Sequence, residues 1–133
     1  MAGESILVVD DEEDILLTLR AFLEGVMGAK VVTARSGAEA LEKMAKAKEP
    51  FDLVISDYRM PAMDGLHFLR RAGEMRPEAP RVLLTAYPDT RLAIDAVNQA
   101  RIVRFLTKPI DPDKLQGVVQ MSGNSDCMTP PPN

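Results

Sequence analysis

The sequence predicts an α/β fold: a five-stranded parallel sheet covered by helices on both faces. Three observations carry it. Short apolar runs alternate five times with stretches of helical periodicity. The short runs are apolar throughout, or nearly so, which suits strands buried on both faces. Most of these runs also stop at a residue with chemical character: Asp10 and Asp11, Asp57, Thr85, and Lys108 after Thr107. In open parallel sheets ligands bind beyond the carboxyl ends of the strands, so four strands deliver these five side chains to one edge.

Each element has its own signal. Ser5 to Val9 (SILVV) is the first strand. Glu12 to Met27 is the first helix, with an apolar stripe of Ile15, Leu16, Leu19, Phe22, Leu23 and Val26. Acids in its first turn suit the helix dipole, and Gly28 is a stop signal. Lys30 to Ala34 is the second strand. Ser36 and Glu39 form a capping-box pattern. The helix they open runs to about Lys48 with Ala38, Leu41, Met44 and Ala45 on one face, and Pro50 ends it.

Phe51 to Ser56 is the third strand, ending on Asp57; the Met-Pro pair and the Asp-Gly turn that follow cannot continue it. Gly65 is expected to supply a turn conformation. Leu66 to Met75 is a helix with Leu66, Leu69 and Ala72 inward and His67 on the polar side. Arg81 to Leu84 leads to Thr85. Pro88-Asp89-Thr90 precedes a fourth helix, and Arg101 to Leu106 is the fifth strand. Asp111-Pro112 starts the last helix, Asp as N-cap and Pro at N1, which continues through Leu115, Val118 and Val119. The expected domain covers residues 1–121. The proline-rich stretch 122–133 is expected to be a disordered tail or the start of a linker.

Composition narrows the function. A length of 133 residues suits one domain with a core that needs no staples. A net charge of −4 argues against direct, nonspecific nucleic-acid binding. Cys127 is the only cysteine, so no intrachain disulfide framework exists, in keeping with a reducing compartment. The N-terminus MAGES lacks the basic region of a signal peptide and no apolar run is long enough to span a membrane, so a cytoplasmic location is expected.

The strand-end residues suggest phosphoryl chemistry. Clustered carboxylates need a cation, and an all-oxygen donor set favours Mg²⁺. Without a nearby His or Cys, zinc is disfavoured. A lysine and a threonine hydroxyl beside such an ion would neutralise and orient a phosphoryl group, and a nucleophilic carboxylate would carry it as an aspartyl phosphate. Singly these residues are bland. Asp10-Asp11 alone reads as a helix start, Asp57 as a turn cap, Thr85 as a strand end and Lys108 as a solvated charge.

Together, VVDDEED (8 to 14), VISDYRMPAMDG (54 to 65), LLTAY (83 to 87) and FLTKP (105 to 109) resemble the receiver domain of two-component response regulators, of the chemotaxis-receiver kind. The resemblance spans residues 4 to 120. It implies a flavodoxin-like (βα)5 three-layer sandwich with strand order 2-1-3-4-5. It implies Asp57 as phosphoacceptor, and Mg²⁺ held by Asp10, Asp11, Asp57 and the backbone carbonyl of Arg59. Lys108 would pair with the phosphoryl oxygens, followed by Pro109, whose peptide bond is cis in many family members. Thr85 and Phe105 would form the switch, Phe105 without the hydroxyl of the family's frequent Tyr. Arg59 and Tyr87 flank the path of hydrolytic water and are expected to slow loss of the phosphoryl group.

The implied partners are a sensor histidine kinase or phosphotransfer protein, and a downstream effector protein or domain. The switching face comprises the fourth predicted helix, the fifth strand and the fifth predicted helix; homodimerisation through it is one output. No membrane partner is implied. Such a domain catalyses its own phosphorylation and dephosphorylation but is a switch more than an enzyme. The alternative is a receiver from a longer regulator whose effector (DNA-binding, cyclic-dinucleotide phosphodiesterase or cyclase) lies outside this chain; RFLTKPID is similar to receivers joined to HD-type phosphodiesterases. A haloacid-dehalogenase-type phosphatase is disfavoured because Asp10-Asp11-Glu12 lacks the D-x-D-G-T pattern. A degenerate receiver has no support, since every expected site residue is present.

Overall fold

The computed structural model describes residues 4–86, 104–108 and 110–123. Its elements are β1 (Ser5–Val9), α1 (Glu13–Gly25), β2 (Lys30–Ala34), α2 (Gly37–Lys46), β3 (Leu53–Asp57), α3 (Gly65–Met75), β4 (Arg81–Thr85), β5 (Arg104–Thr107) and α4 (Pro112–Gly123). All pairings are parallel and the order is β2-β1-β3-β4-β5, as expected. α4 is the fifth predicted helix and continues to Gly123, two residues past the expected domain limit. The predicted helix after Pro88 lies outside the described residues.

Strand alternation builds two cores from one sheet. Leu7, Val9, Val54 and Leu83 face one side, where they pack with Ala40 and Met44 of α2 and Phe68, Leu69 and Ala72 of α3. Ile6, Val8, Leu53, Ile55, Val82, Leu84 and Leu106 face the other, against Leu16, Leu19 and Leu23 of α1 and Leu115, Val118 and Val119 of α4. β1, β3 and β4 are flanked by strands on both sides, which is why their runs carry no polar alternation.

The inward helix faces differ from expectation in three places. In α2 the buried positions are Gly37, Ala40 and Met44, with Leu41 half-buried; Ala38 and Ala45 face solvent. Ala is weak evidence for a face because it is tolerated on either side of a helix. In α3 Phe68 is fully buried, whereas Leu66 is only half-buried and Met75 is exposed. Val26 follows the end of α1 and is exposed, because the chain turns there; Gly28 takes a positive φ of 70°.

The caps follow the sequence with one change. Ser36 Oγ accepts from Glu39 N at 3.1 Å, but the Glu39 carboxylate accepts from Arg35 N at 2.9 Å, one residue earlier than a reciprocal capping box requires. That bond, with Lys43 beside it, holds the Glu39 carboxyl below its usual range. Asp64 caps α3 through His67 N at 2.8 Å, and Asp111 accepts from Asp113 N at 2.9 Å at the start of α4.

Candidate functional site

Register brings the predicted residues to one edge. Val9 pairs with Ser56, Asp57 with Leu84, and Thr85 with Thr107. The residues at or just past these positions therefore meet at one end of the sheet. Asp10, Asp11 and Asp57 each offer an oxygen to a group whose ligand atoms all lie within 4.8 Å of one another. Asp10 is fully buried, Asp57 is 6% exposed and Asp11 is half-buried.

Lys108 reaches this group from the end of β5. Its Nζ donates to Asp10 Oδ2 at 3.1 Å and lies 2.9 Å from Asp57 Oδ1. Its backbone N–H donates to the Thr85 carbonyl at 3.0 Å, which fixes where the side chain begins. Asp10 is oriented by its own helix start, Oδ1 accepting from Glu12 N at 2.9 Å. Behind Asp57, Ser56 Oγ donates to the Asp57 carbonyl at 3.0 Å and Tyr58 N to the Leu84 carbonyl at 2.9 Å.

The charges do not balance. Among the described residues, three carboxylates face one ammonium. Burial pushes the Asp57 carboxyl above its ordinary range, and the charge of Asp11 adds to this; the hydrogen bond and charge of Lys108 only partly oppose it. Burial also raises Asp10, helped by Asp57 and opposed by the Glu12 amide and Lys108. For Lys108, burial works to lower the pKa, but the bonds to Asp57 and Asp10 prevail and raise it. The site therefore has an unmet demand for positive charge. Its donors are oxygens, and among the described residues no His or Cys joins the group. Such a donor set fits a hard divalent cation.

Thr85 is buried at the end of β4. It lies two residues beyond Leu83 and so on the same sheet face, next to the strand that carries Phe105, the register partner of Leu83. Phe105 is half-buried against the core on that face. Arg59 is exposed at an open cleft of about 470 Å³ lined also by Tyr58, Met60, Pro61 and Asp64. Tyr87 and Pro109 lie outside the described residues.

Gly65 has a different reason from the one expected. It does not adopt a positive φ; it opens α3 with its N–H donating to the Tyr58 carbonyl at 2.7 Å. A Cβ there would collide with the Asp57 carbonyl oxygen and come within 2.8 Å of the Asp57 carbonyl carbon and 2.9 Å of Tyr58 Cα. The positive φ in this loop falls at Ala62 instead (69°). Sequence reasoning missed the Ser56 hydroxyl bond and the positive φ at Ala62. Ser56 was the only one with a signal, a lone hydroxyl inside an apolar strand.

The geometry agrees with what the chain is similar to. Residues 6–120 match the family model described as response regulator receiver domain. The transcriptional regulatory protein ZraR of Klebsiella oxytoca is 40% identical over 118 residues, covering 87% of this chain and 26% of that protein. Among solved structures, the signal receiver domain of an HD domain-containing protein from Pseudomonas fluorescens Pf-5 is 35% identical with a TM-score of 0.83, covering 90% of this chain and 94% of that one. A response regulator receiver domain protein from Clostridium thermocellum is 30% identical with a TM-score of 0.84, covering 94% and 98%. The chain spans about a quarter of the length of the curated relatives it matches.

Proposed function

That the chain belongs to the response regulator receiver domain family is the premise from which we propose that Asp57 accepts a phosphoryl group from a phosphohistidine of a partner kinase or phosphotransfer protein. The observation that carries this reading is Lys108 Nζ set between Asp57 Oδ1 and Asp10 Oδ2 at a strand-end carboxylate cluster. In the transfer, an Asp57 carboxylate oxygen bonds to phosphorus as the phosphorus–nitrogen bond breaks, and the electron pair leaves with the imidazole. Lys108, already at this carboxylate, neutralises charge on the phosphoryl oxygens, and Thr85 donates its hydroxyl to them.

Asp10, Asp11, Asp57 and the carbonyl of Arg59 would hold Mg²⁺, which supplies electrostatic stabilisation of the phosphoryl oxygens. Asp10 and Asp57 are held in place by the Glu12 amide and by Lys108, so little reorganisation is needed. Loss of the group to water is also self-catalysed in this reading, so the domain is a receiver and not a dedicated catalyst. In this reading Arg59, and Tyr87 by the family resemblance, slow that loss; unchanged lifetimes in both Arg59→Ala and Tyr87→Ala would remove this role.

Phosphorylation is read out at the β5 edge of the molecule, on the surface expected to comprise the fourth predicted helix, β5 with Phe105, and α4. Thr85 and Phe105 share a sheet face on neighbouring strands, which gives a movement at Thr85 a short route to the ring. The downstream partner is a protein surface, a second copy or an effector domain. The short span relative to regulators such as ZraR supports a receiver of a longer protein, with a transcriptional output; the likeness to a receiver of an HD domain-containing protein supports a phosphodiesterase output instead. No described helix is long and apolar enough to cross a membrane, and a cytoplasmic location fits a kinase-fed switch.

Incubation with acetyl phosphate and Mg²⁺ followed by intact mass tests the assignment. One phosphoryl mass is gained, and none in Asp57→Asn. A gain that persists in Asp57→Asn overturns it.

A further inference from the structure

The loop from Asp57 to α3 is held in a conformation its own sequence does not favour. Tyr58 and Gly65 close its base through the 2.7 Å backbone bond. At its outer end Met63 N donates to the Pro61 carbonyl at 2.7 Å, across Ala62 with a φ of 69°. A bond between residues two apart, over a residue of positive φ, is a γ-turn of the rare, strained kind, and its centre is not glycine. Strain of this sort persists only where the surroundings impose it.

The surroundings include a seat on another helix. A Cβ on Gly37, the first residue of α2, would lie 2.7 Å from Met63 Sδ and 3.2 Å from its Cγ, and 3.3 Å from Phe68 Cβ. Gly37 is buried, Met63 packs against the core that includes Ala40 and Phe68, and α2 is fixed by its Ser36 cap. The thioether thus rests in the space that a Cβ on residue 37 would take. Between the two ends of this loop lies Arg59, whose carbonyl completes the proposed metal site.

We propose that Met63, seated on Gly37, is a positioning residue for the phosphoryl site: it holds the strained turn at Ala62 closed and so sets the loop that presents the Arg59 carbonyl beside Asp57. The inference rests on the receiver reading of the site. Met63 touches neither the carboxylates nor a phosphoryl group; it acts through the loop, as an outer-shell residue does for a metal centre. Two features of the pair are needed: a flexible apolar side chain at 63 and no side chain at 37.

Calorimetric titration with Mg²⁺ and the rate of phosphorylation by acetyl phosphate test this on the whole chain. Met63→Ala and Gly37→Ala each weaken Mg²⁺ binding roughly tenfold, and Met63→Leu, of similar bulk, restores it. In an Ala62→Gly background, where the turn needs no imposed strain, Met63→Ala loses most of its effect. Thermal melts separate this from simple destabilisation, since Met63→Ala changes affinity well below its melting transition. The proposal fails if Met63→Ala binds Mg²⁺ as the wild type does, or if its effect is the same size in Ala62→Gly. A wild-type chain that itself binds no Mg²⁺ overturns the receiver chemistry and this inference together, so the two failures are distinct.

Discussion

Lys108 Nζ stands 2.9 Å from Asp57 Oδ1, the ammonium contributed by the chain after β5 and the carboxylate by the end of β3. The same ammonium lies 3.1 Å from Asp10. Both carboxylates are buried, so removing the lysine takes away the one ammonium that pairs with them among the described residues. Lys108→Ala is expected to destabilise the metal-free protein by about 3 kcal/mol, read as a lower urea midpoint. It is also expected to phosphorylate far more slowly while still binding Mg²⁺. A midpoint that does not move would mean that the pair is not formed in solution.

The raised carboxyls make stability depend on pH with an unusual sign. Asp10 and Asp57 bind a proton more tightly when folded than when unfolded. The folded state is therefore penalised as they ionise, and stability falls as pH rises from the ordinary carboxylate range, about 4, to their raised values. In EDTA the melting temperature should decline across that window. Glu39, lowered by its bond to Arg35, contributes with the opposite sign but is largely exposed. Asp57→Asn should flatten the decline and melt higher than the wild type at neutral pH. Mg²⁺ should reverse the trend, adding about 1.4 kcal/mol at ten times its Kd. A melting temperature in EDTA that climbs with pH would contradict the shifts.

Gly65 tests the packing of the backbone at Asp57. A methyl group there meets the Asp57 carbonyl, a backbone atom with no rotamer to yield. Gly65→Ala should cost about 3 kcal/mol or more, and the folded fraction should bind Mg²⁺ weakly because the Asp57 peptide has shifted. Chemical denaturation and titration on the same sample check both.

Two glycines inside helices should respond in opposite directions. A Cβ at Gly117 in α4 meets nothing, so Gly117→Ala should stabilise by about 1 kcal/mol from helix propensity alone. At Gly73 in α3 the same methyl lies 2.8 Å from Cζ of Arg81, a residue 5% exposed that donates to the Ala79 carbonyl at 3.3 Å. Gly73→Ala should lose about 1–2 kcal/mol, collision outweighing propensity. Equal gains at both sites would show that Arg81 moves aside freely.

Much of this fold was legible because its central strands are largely apolar on both faces and stop at polar residues. That pattern places Asp10, Asp57, Thr85 and Lys108 at one edge from the sequence alone. What stayed hidden depended on pairs of residues far apart in sequence. Nothing in the string around Gly37 points to Met63, and nothing around Gly73 points to Arg81. Gly65 looked like a turn residue because glycine after Asp usually is one, while its actual constraint is a neighbouring carbonyl. Ala38 and Ala45 misled for the opposite reason, since alanine does not report which way it faces. Phe68 was overlooked beside Leu66, although the large ring fills the fully buried position.

The order in which the chain supplies its site has a consequence during synthesis. Asp10, Asp11 and Asp57 come from the first half, and the lysine that pairs with two of them lies just past the last described strand. A nascent chain emerging N-terminus first cannot form the Lys108 pairs with Asp10 and Asp57 until residue 108 has left the ribosome. Only then can Asp57 and Asp10 take their folded ion pairs, so the strand-end cluster is assembled only once translation has passed residue 108.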